Sequence, residues 1–423
     1  MTYLIEETTV PNAYIVDACR TPRGIGKVGK GALAHLHPSY LGSTVLKALA
    51  ERNALDTAEV DDVIWGTSSQ SGKQSGDLGR MAALNAGFDI RSSGVTLDRF
   101  CGSGITTVSL AAAQVMSGME DLVIAGGTEM MSYFPSIGEP GVPPMLDSGN
   151  LALRDMHPQS QQGVCADAIA TLEGIDREAV DQLALTSQQR AAQAIAEGRF
   201  DRSLITVHNP DGSVALDHEE FPRSETTLES LAGLKTVFDV VRDVPVDEAG
   251  TTYGQLIQQK YPDLDTFNHI HHAGNSSGVV DGAAALLLAS EHYVERRGLT
   301  PRARIVATAN QGDCPTLMLN APVPAARKVL AKAGLSVSDI DLWEINEAFA
   351  VVAEKFIRDL ELDRNKVNVN GGAMALGHPI GATGSVLIGT LLDELERQQK
   401  RYGLVTMCAA GGMAPAIIIE RLA

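Results

Sequence analysis

The chain reads as an α/β protein made of two related halves, and three observations predict this. Short apolar runs alternate with helical stretches, the order expected of strands and helices stacked in layers. Glycine turns close several of the apolar runs, as at Ala125-Gly126-Gly127. The same order of segments also occurs twice, marked by Asp62-Val63-Ile64-Trp65 and by Asp341-Leu342-Trp343-Glu344-Ile345. A repeat this long is a duplicated domain rather than a solenoid.

In the first half, residues 13–18 form a buried strand, and a helix follows a glycine turn and runs to about Asn53. Residues 60–66 are the next strand. Residues 94–97 lead into Cys101-Gly102-Ser103-Gly104 and a helix from about Ile105 to Gly118; residues 122–127 are again a strand. The second half repeats the series. Residues 303–308 are a strand, 325–334 a helix and 340–345 a strand. Residues 367–369 lead into a turn holding His378, a helix spans about 385–399, and 404–408 is the strand before Gly411-Gly412. Between the halves lies a long irregular region, roughly Ser132 to Tyr261, with a proline-rich stretch from Pro135 to Met145, a helix over 176–197 and a hairpin-like turn over 207–214. Loops this long in a compact enzyme usually shape a binding site. The apolar run 283–289 reads as a strand of the first half that returns after this insertion. The division expected is 1–131 plus about 262–292, an inserted region 132–261, and 293–423.

Composition narrows the function. The chain has 423 residues, 44% hydrophobic and 20% charged, ordinary for a soluble globular protein. A net charge of −18 argues against nucleic-acid binding, which needs basic patches. Phosphorylated small ligands stay open, because one or two arginines suffice. The five cysteines, Cys19, Cys101, Cys165, Cys314 and Cys408, are odd in number, widely spaced and without a Cys-x-x-Cys, so neither a disulfide framework nor a zinc site fits. His269, His271 and His272 lack metal-motif spacing, and no metal site is expected. An acidic N-terminus without signal-peptide blocks and the lack of a bilayer-length apolar run make the cytoplasm the expected location, with no membrane insertion.

The residues that can carry chemistry sit in glycine-lined turns. Cys101 follows a strand and opens a helix, whose free N–H groups favour thiolate over thiol; a small buried cysteine filling a tight turn is the equal alternative. His378, in Gly377-His378-Pro379-Ile380-Gly381-Ala382-Thr383-Gly384, serves as a proton carrier or as a structural residue. Cys408, in Cys408-Ala409-Ala410-Gly411-Gly412-Met413, taken alone is core. Asn346-Glu347-Ala348-Phe349 taken alone is a helix cap, with Asn346 capping. Taken together, these groups occupy matching places in the two halves at strand C-termini, where open α/β sheets place ligands.

The combination resembles the thiolase family, and the resemblance covers nearly the whole chain. Gly126-Gly127-Thr128-Glu129-Met130-Met131-Ser132 and Ala273-Gly274-Asn275-Ser276-Ser277-Gly278 agree with it. It implies a layered α-β-α-β-α fold and acyl transfer between coenzyme A thioesters. It implies Cys101 as nucleophile, His378 as the base that activates it, and Cys408 as the group that exchanges a proton with the reacting partner. By resemblance, Asn346 holds a water that forms one oxyanion hole with His378; backbone N–H groups near Cys101 and Ala410 form the other. Glu347 stabilises the helix start or orients neighbours. Arg223, Ser230, Ala273 and Ser277 match contacts along the ligand, and Phe238, Met318 and Phe349 match apolar tunnel walls. Coenzyme A is a co-substrate, no cofactor is resident, and a homodimer or homotetramer is expected.

Three departures stand out. Ala410 replaces a family glycine, a substitution that costs stability if the position needs positive φ. Gln161-Gln162-Gly163 stands where many biosynthetic members carry His-Met. The 240–268 segment is longer than usual, either as a tunnel lid or subunit contact, or as a tolerated surface insertion. Two rival readings are a ketosynthase-type condensing enzyme, which normally uses two histidines, and a non-catalytic acyl-CoA-binding scaffold.

Overall fold

The computed structural model describes residues 11–136 and 145–422. The acidic N-terminus and most of the proline-rich stretch lie outside these residues. The first half contributes β1 (Ala13–Arg20), β2 (Asp62–Gly66), β3 (Val95–Leu97), β4 (Leu122–Met130) and β5 (Val280–Ser290). The second contributes β6 (Ala303–Gly312), β7 (Leu342–Ile345), β8 (Tyr402–Thr406) and β9 (Met413–Arg421). The strands order as β7-β8-β9-β6-β1-β5-β4-β2-β3, with Gly24–Ile25 pairing against β5.

The pairing repeats the duplication. β2 and β4 are parallel, β4 and β5 antiparallel, and β5 and β1 antiparallel. In the other half β7 and β8 are parallel, β8 and β9 antiparallel, and β9 and β6 antiparallel. The halves join through two residue pairs of β1 and β6, Tyr14 with Arg304 and Ile15 with Ala303. The run predicted to return after the insertion is β5, buried along its whole length between β1 and β4.

Two helices lie at the centre, α1 (Ser103–Ser117) and α2 (Ile380–Arg397). Each contacts strands of both halves. One apolar cluster joins Ile105 and Val108 of α1, Leu387 and Leu391 of α2, and Ile15, Val123, Leu286, Ile305, Val405 and Ile417 of the strands. Burying each such side chain contributes about 1.5–3 kcal/mol, and Leu391→Ala would cost about 2–5 kcal/mol. The helices meet at glycines: a Cβ on Gly384 would lie 2.1 Å from the Ile105 nitrogen, and one on Gly104 would lie 2.7 Å from the Ser385 nitrogen. Backbone contact this close tolerates no side chain, so these two glycines fix how far α1 and α2 interpenetrate.

Residues 367–369 lead into the His378 turn without forming a strand; Val367 makes a single bridge to Trp343. Asn368 turns out at φ +46°, and its side-chain amide replaces the ladder, accepting from the Ile345 N–H and donating to the Ile345 carbonyl at 2.9 Å each. The 240–268 segment is exposed or half-buried over 240–252 and partly buried beyond. It carries a short helix, Tyr253–Gln258, that buries Tyr253, Leu256 and Ile257 in the same core as Val164, Ile169 and Phe349. The Ser160 hydroxyl, donating to the Tyr253 carbonyl at 2.8 Å, ties it to the start of α3 (Gln162–Glu173).

Candidate active site

Cys101 stands two residues before α1, reached through a strained turn. Phe100 has φ +49°, left-handed and rare for an aromatic residue. The Ser103 hydroxyl bridges the turn, accepting from the Arg99 N–H at 2.8 Å and donating to the Phe100 carbonyl at 2.7 Å. Gly102 packs on Pro415 of β9, where a Cβ would approach the ring to 2.9 Å. The nucleophile turn of the first half is thereby seated against the second half.

His378 precedes α2. Its N–H donates to the Gly278 carbonyl at 2.9 Å, and its Nδ1 lies 2.6 Å from the Thr383 hydroxyl. That hydroxyl has one hydrogen and gives it to the Pro379 carbonyl at 3.0 Å. It therefore accepts from Nδ1–H, which leaves Nε2 unprotonated and able to take a proton. Asn346 Nδ2 sits 3.4 Å from Nε2, and Asn346 Oδ1 has no protein partner. The Asn346 N–H donates to the Thr406 carbonyl at the end of β8, two residues before Cys408. Cys408 is 1% exposed and His378 4%, while Cys101 keeps part of its surface open. The sulfurs are electrostatically coupled: a charge on Cys408 would raise the Cys101 thiol.

At Cys101 two electrostatic effects compete. The start of α1 favours thiolate. Burial instead pushes the Cys101 thiol well up; a charge on Cys408 would add to this, its own N–H pulls the other way, and Glu129 and Asp98 raise it by less. Burial also pushes Cys408 up to about 12 and His378 down to about 4. Desolvation outweighs a few amide dipoles, and the resting site holds neutral thiols beside a neutral imidazole.

Asn346 is not a helix cap. The next helix, α5 (Ala350–Asp359, following α4, Arg177–Ala196), starts four residues later behind Phe349. Its amide is thus free for the site. Glu347 orients neighbours: its carboxylate accepts from the Ser187 hydroxyl at 2.7 Å, Asn368 Nδ2 at 2.9 Å and the Met374 N–H at 3.1 Å. Ala410 does not have positive φ; the left-handed positions are Gly411 and Gly412. Alanine is therefore unstrained there. Among the described residues, neither the Cys101 nor the Ala410 N–H has a backbone acceptor, as an oxyanion hole requires.

Arg223, Ser230 and Ala273 line one cleft of about 260 Å³ with Gln188, Phe221 and Met374. Its Met374 wall lies four residues before His378. Phe238, Met318 and Phe349 gather instead in the adjoining apolar core, with the Phe238 and Phe349 rings edge-to-face at 5.7 Å. Gly163 makes room for the Phe238 ring, which a Cβ would approach to 2.1 Å. Ser277 is held by its N–H on the Ala348 carbonyl at 3.0 Å. The three histidines are accounted for by carboxylates: His269 and His271 bond Asp167, and His272 bonds Asp181.

The sequence reading missed two supports. Thr383, inside the histidine motif, sets the tautomer. Gln188 accepts the Arg223 N–H at 2.9 Å and donates to the Met374 carbonyl at 3.3 Å, a pairing that no local pattern announces.

Cys101 and Cys408 lie near enough to act on each other electrostatically, and Asn346 links His378 to the strand end before Cys408, all on a duplicated α/β scaffold. Family models for the thiolase N-terminal domain and the thiolase C-terminal domain match residues 13–244 and 299–421. The chain is 40% identical to a steroid 3-ketoacyl-CoA thiolase of Mycobacterium tuberculosis, covering 97% of this chain and 94% of that one. It is 41% identical to a 3-oxoadipyl-CoA/3-oxo-5,6-dehydrosuberyl-CoA thiolase of Escherichia coli, covering 97% and 99%. The crystal structure of human mitochondrial 3-ketoacyl-CoA thiolase superposes with a TM-score of 0.83 at 33% identity, covering 98% of this chain and all of that one. The chain belongs to the thiolase family and is an acyltransferase that uses coenzyme A thioesters. No helix among the described residues is long and apolar enough to cross a membrane.

Proposed function

We propose that this thiolase cleaves a 3-ketoacyl-CoA, and runs the reverse condensation, through an acyl group carried on Cys101. The observation that carries the reading is the His378 tautomer: Thr383 holds the proton on Nδ1 and leaves Nε2 as the base. In cleavage, His378 takes the Cys101 proton as the sulfur attacks the 3-keto carbon. The bond between C2 and C3 breaks, Cys408 protonates C2, and acetyl-CoA leaves. A second coenzyme A thiol gives its proton to the Cys408 thiolate and attacks the Cys101 thioester; Cys101 leaves with the proton held by His378, giving the shortened acyl-CoA and the free thiol. Condensation reverses these steps, with Cys408 removing a proton from the acetyl methyl. Negative charge on the thioester oxygens falls on the Cys101 and Ala410 N–H groups and on the side of Asn346 and His378; one aimed donor contributes about 3–4 kcal/mol.

Coenzyme A binds along the cleft of Arg223, Ser230 and Ala273, with the acyl chain toward Phe238, Met318 and Phe349. The relatives that act on 3-ketoacyl chains, including steroid and dicarboxylic ones, support thiolysis of a 3-ketoacyl-CoA. The protein works without a resident cofactor, in the cytoplasm, as a homodimer or homotetramer, and the halves divide near residues 131, 262 and 292. Mass spectrometry after incubation with acetyl-CoA should show one acetyl adduct, on Cys101, and none in Cys101→Ala. An adduct that persists in that variant refutes the assignment. A thiolysis assay across 3-ketoacyl-CoA lengths then identifies the substrate.

A further inference from the structure

The helix that follows His378 begins poorly. Its N-cap is Pro379, no side chain of its own caps it, and its first turn carries no acidic residue. The first amides of a helix need acceptors from elsewhere, and their positive end favours a negative charge. The Ala382 and Thr383 N–H groups fold back on the Pro379 carbonyl. The Gly381 N–H instead reaches Glu129 Oε2, at the end of β4 in the other half of the molecule, at 2.8 Å.

Glu129 is fully buried, and four donors converge on it. Oε2 accepts from the Ser68 N–H at 2.7 Å as well as from Gly381. Oε1 accepts from Gln74 Nε2 at 2.7 Å and from the Thr67 hydroxyl at 3.0 Å. Around this carboxylate the backbones touch without slack: a Cβ on Gly127 would lie 2.3 Å from the Gly381 carbonyl oxygen, and one on Gly381 would lie 2.4 Å from the Thr67 Cα.

We propose that Glu129 is a positioning residue of the catalytic site: it supplies the acceptor and the negative charge that the first turn of the histidine helix lacks, and so fixes His378 against Cys101. The inference rests on the roles given above to Cys101 and His378. It makes each half complete the other, since the carboxylate of the first half caps the helix of the second. It also gives Glu129 a reach beyond packing. The groups whose charge is felt at the Cys101 sulfur are Cys408, Glu129 and Asp98, all raising its thiol, against the lowering by its own N–H. The carboxylate thus helps keep the proton on sulfur until His378 receives it.

The test compares Glu129→Gln with wild type in acetoacetyl-CoA thiolysis and in iodoacetamide alkylation of Cys101 across pH. The variant keeps the side-chain shape and loses the charge. The expected result is a kcat lower by about tenfold or more with KM for coenzyme A nearly unchanged, together with an alkylation profile moved to lower pH by about half a unit. A slower enzyme whose Cys101 alkylates as in wild type would mark Glu129 as merely structural and overturn the proposal, as would an unchanged kcat. If Glu129→Gln does not fold, Thr67→Val removes one donor at constant shape. It should lower kcat about two- to threefold with KM unchanged, and an unchanged kcat overturns the proposal. A wild-type protein that forms no Cys101 adduct with acetyl-CoA overturns both readings, whereas an active wild type beside an equally active Glu129→Gln overturns this one alone.

Discussion

The two cysteine turns occupy comparable places in the two halves, yet they are built differently. Cys101 follows a left-handed phenylalanine, leads into a fifteen-residue helix and stays partly open to solvent. Cys408 follows a strand that folds straight back, with Ala409 and Met413 exchanging hydrogen bonds across Gly411 and Gly412, and is sealed at 1% exposure. A helix N-terminus and an open face suit a sulfur that must be reached and acylated. A closed hairpin suits a sulfur that must exchange a proton and stay unmodified. Duplication supplied two similar turns; burial made them differ in access to solvent.

Removing each sulfur breaks this comparison most directly. Cys101→Ala should lower thiolysis by at least about 1,000-fold and abolish the acetyl adduct. Cys408→Ala should lose turnover to a similar degree yet still take up one acetyl group from acetyl-CoA, read by intact mass. Loss of the adduct in both variants would mean the sulfurs do not divide the work. Gly384→Ala tests whether the meeting of α1 and α2 sets the site: its Cβ would sit 2.1 Å from the Ile105 nitrogen. A stability loss of about 1–3 kcal/mol or more is expected in urea titration, with a fall in kcat; wild-type stability would show that the crossing has slack.

A third effect is set by pH. Burial lowers His378 from 6.5 to about 4. Between these values the unfolded chain binds a proton that the folded chain does not, so stability falls as the pH drops through this window and is retained above it. The expected contribution is about 2–3 kcal/mol at the acid end. Urea midpoints at pH 7 and 4.5 should differ less in His378→Asn than in wild type, and equal pH slopes would contradict the buried neutral imidazole. The smallest effect belongs to Ala410→Gly. Because that residue avoids positive φ, restoring glycine should change stability by under about 1 kcal/mol and activity by less than about threefold.

Much of this was legible in advance, for a local reason. Runs such as residues 283–289, apolar on both faces, can only be interior strands, and β5 is one. The glycine turns around Cys101, His378 and Cys408 marked the site. Asn346 was misread alone as a cap, because helix starts share residue types with polar sites and α5 begins later than its pattern suggests. The pairing of the Asn368 side chain with the Ile345 backbone had no local signal, because its partner lies more than twenty residues away.

By itself the chain determined its two-fold repeat, its strands and helices, and the side chains able to do thiol chemistry, since these follow from patterns a few residues long. Tertiary structure decided the desolvation of Cys101, the burial of the short helix at Tyr253–Gln258 and the capping of α2 by Glu129. Each of these depends on desolvation or on donors brought from remote sequence, and such groups become neighbours only when the two halves close on α1 and α2.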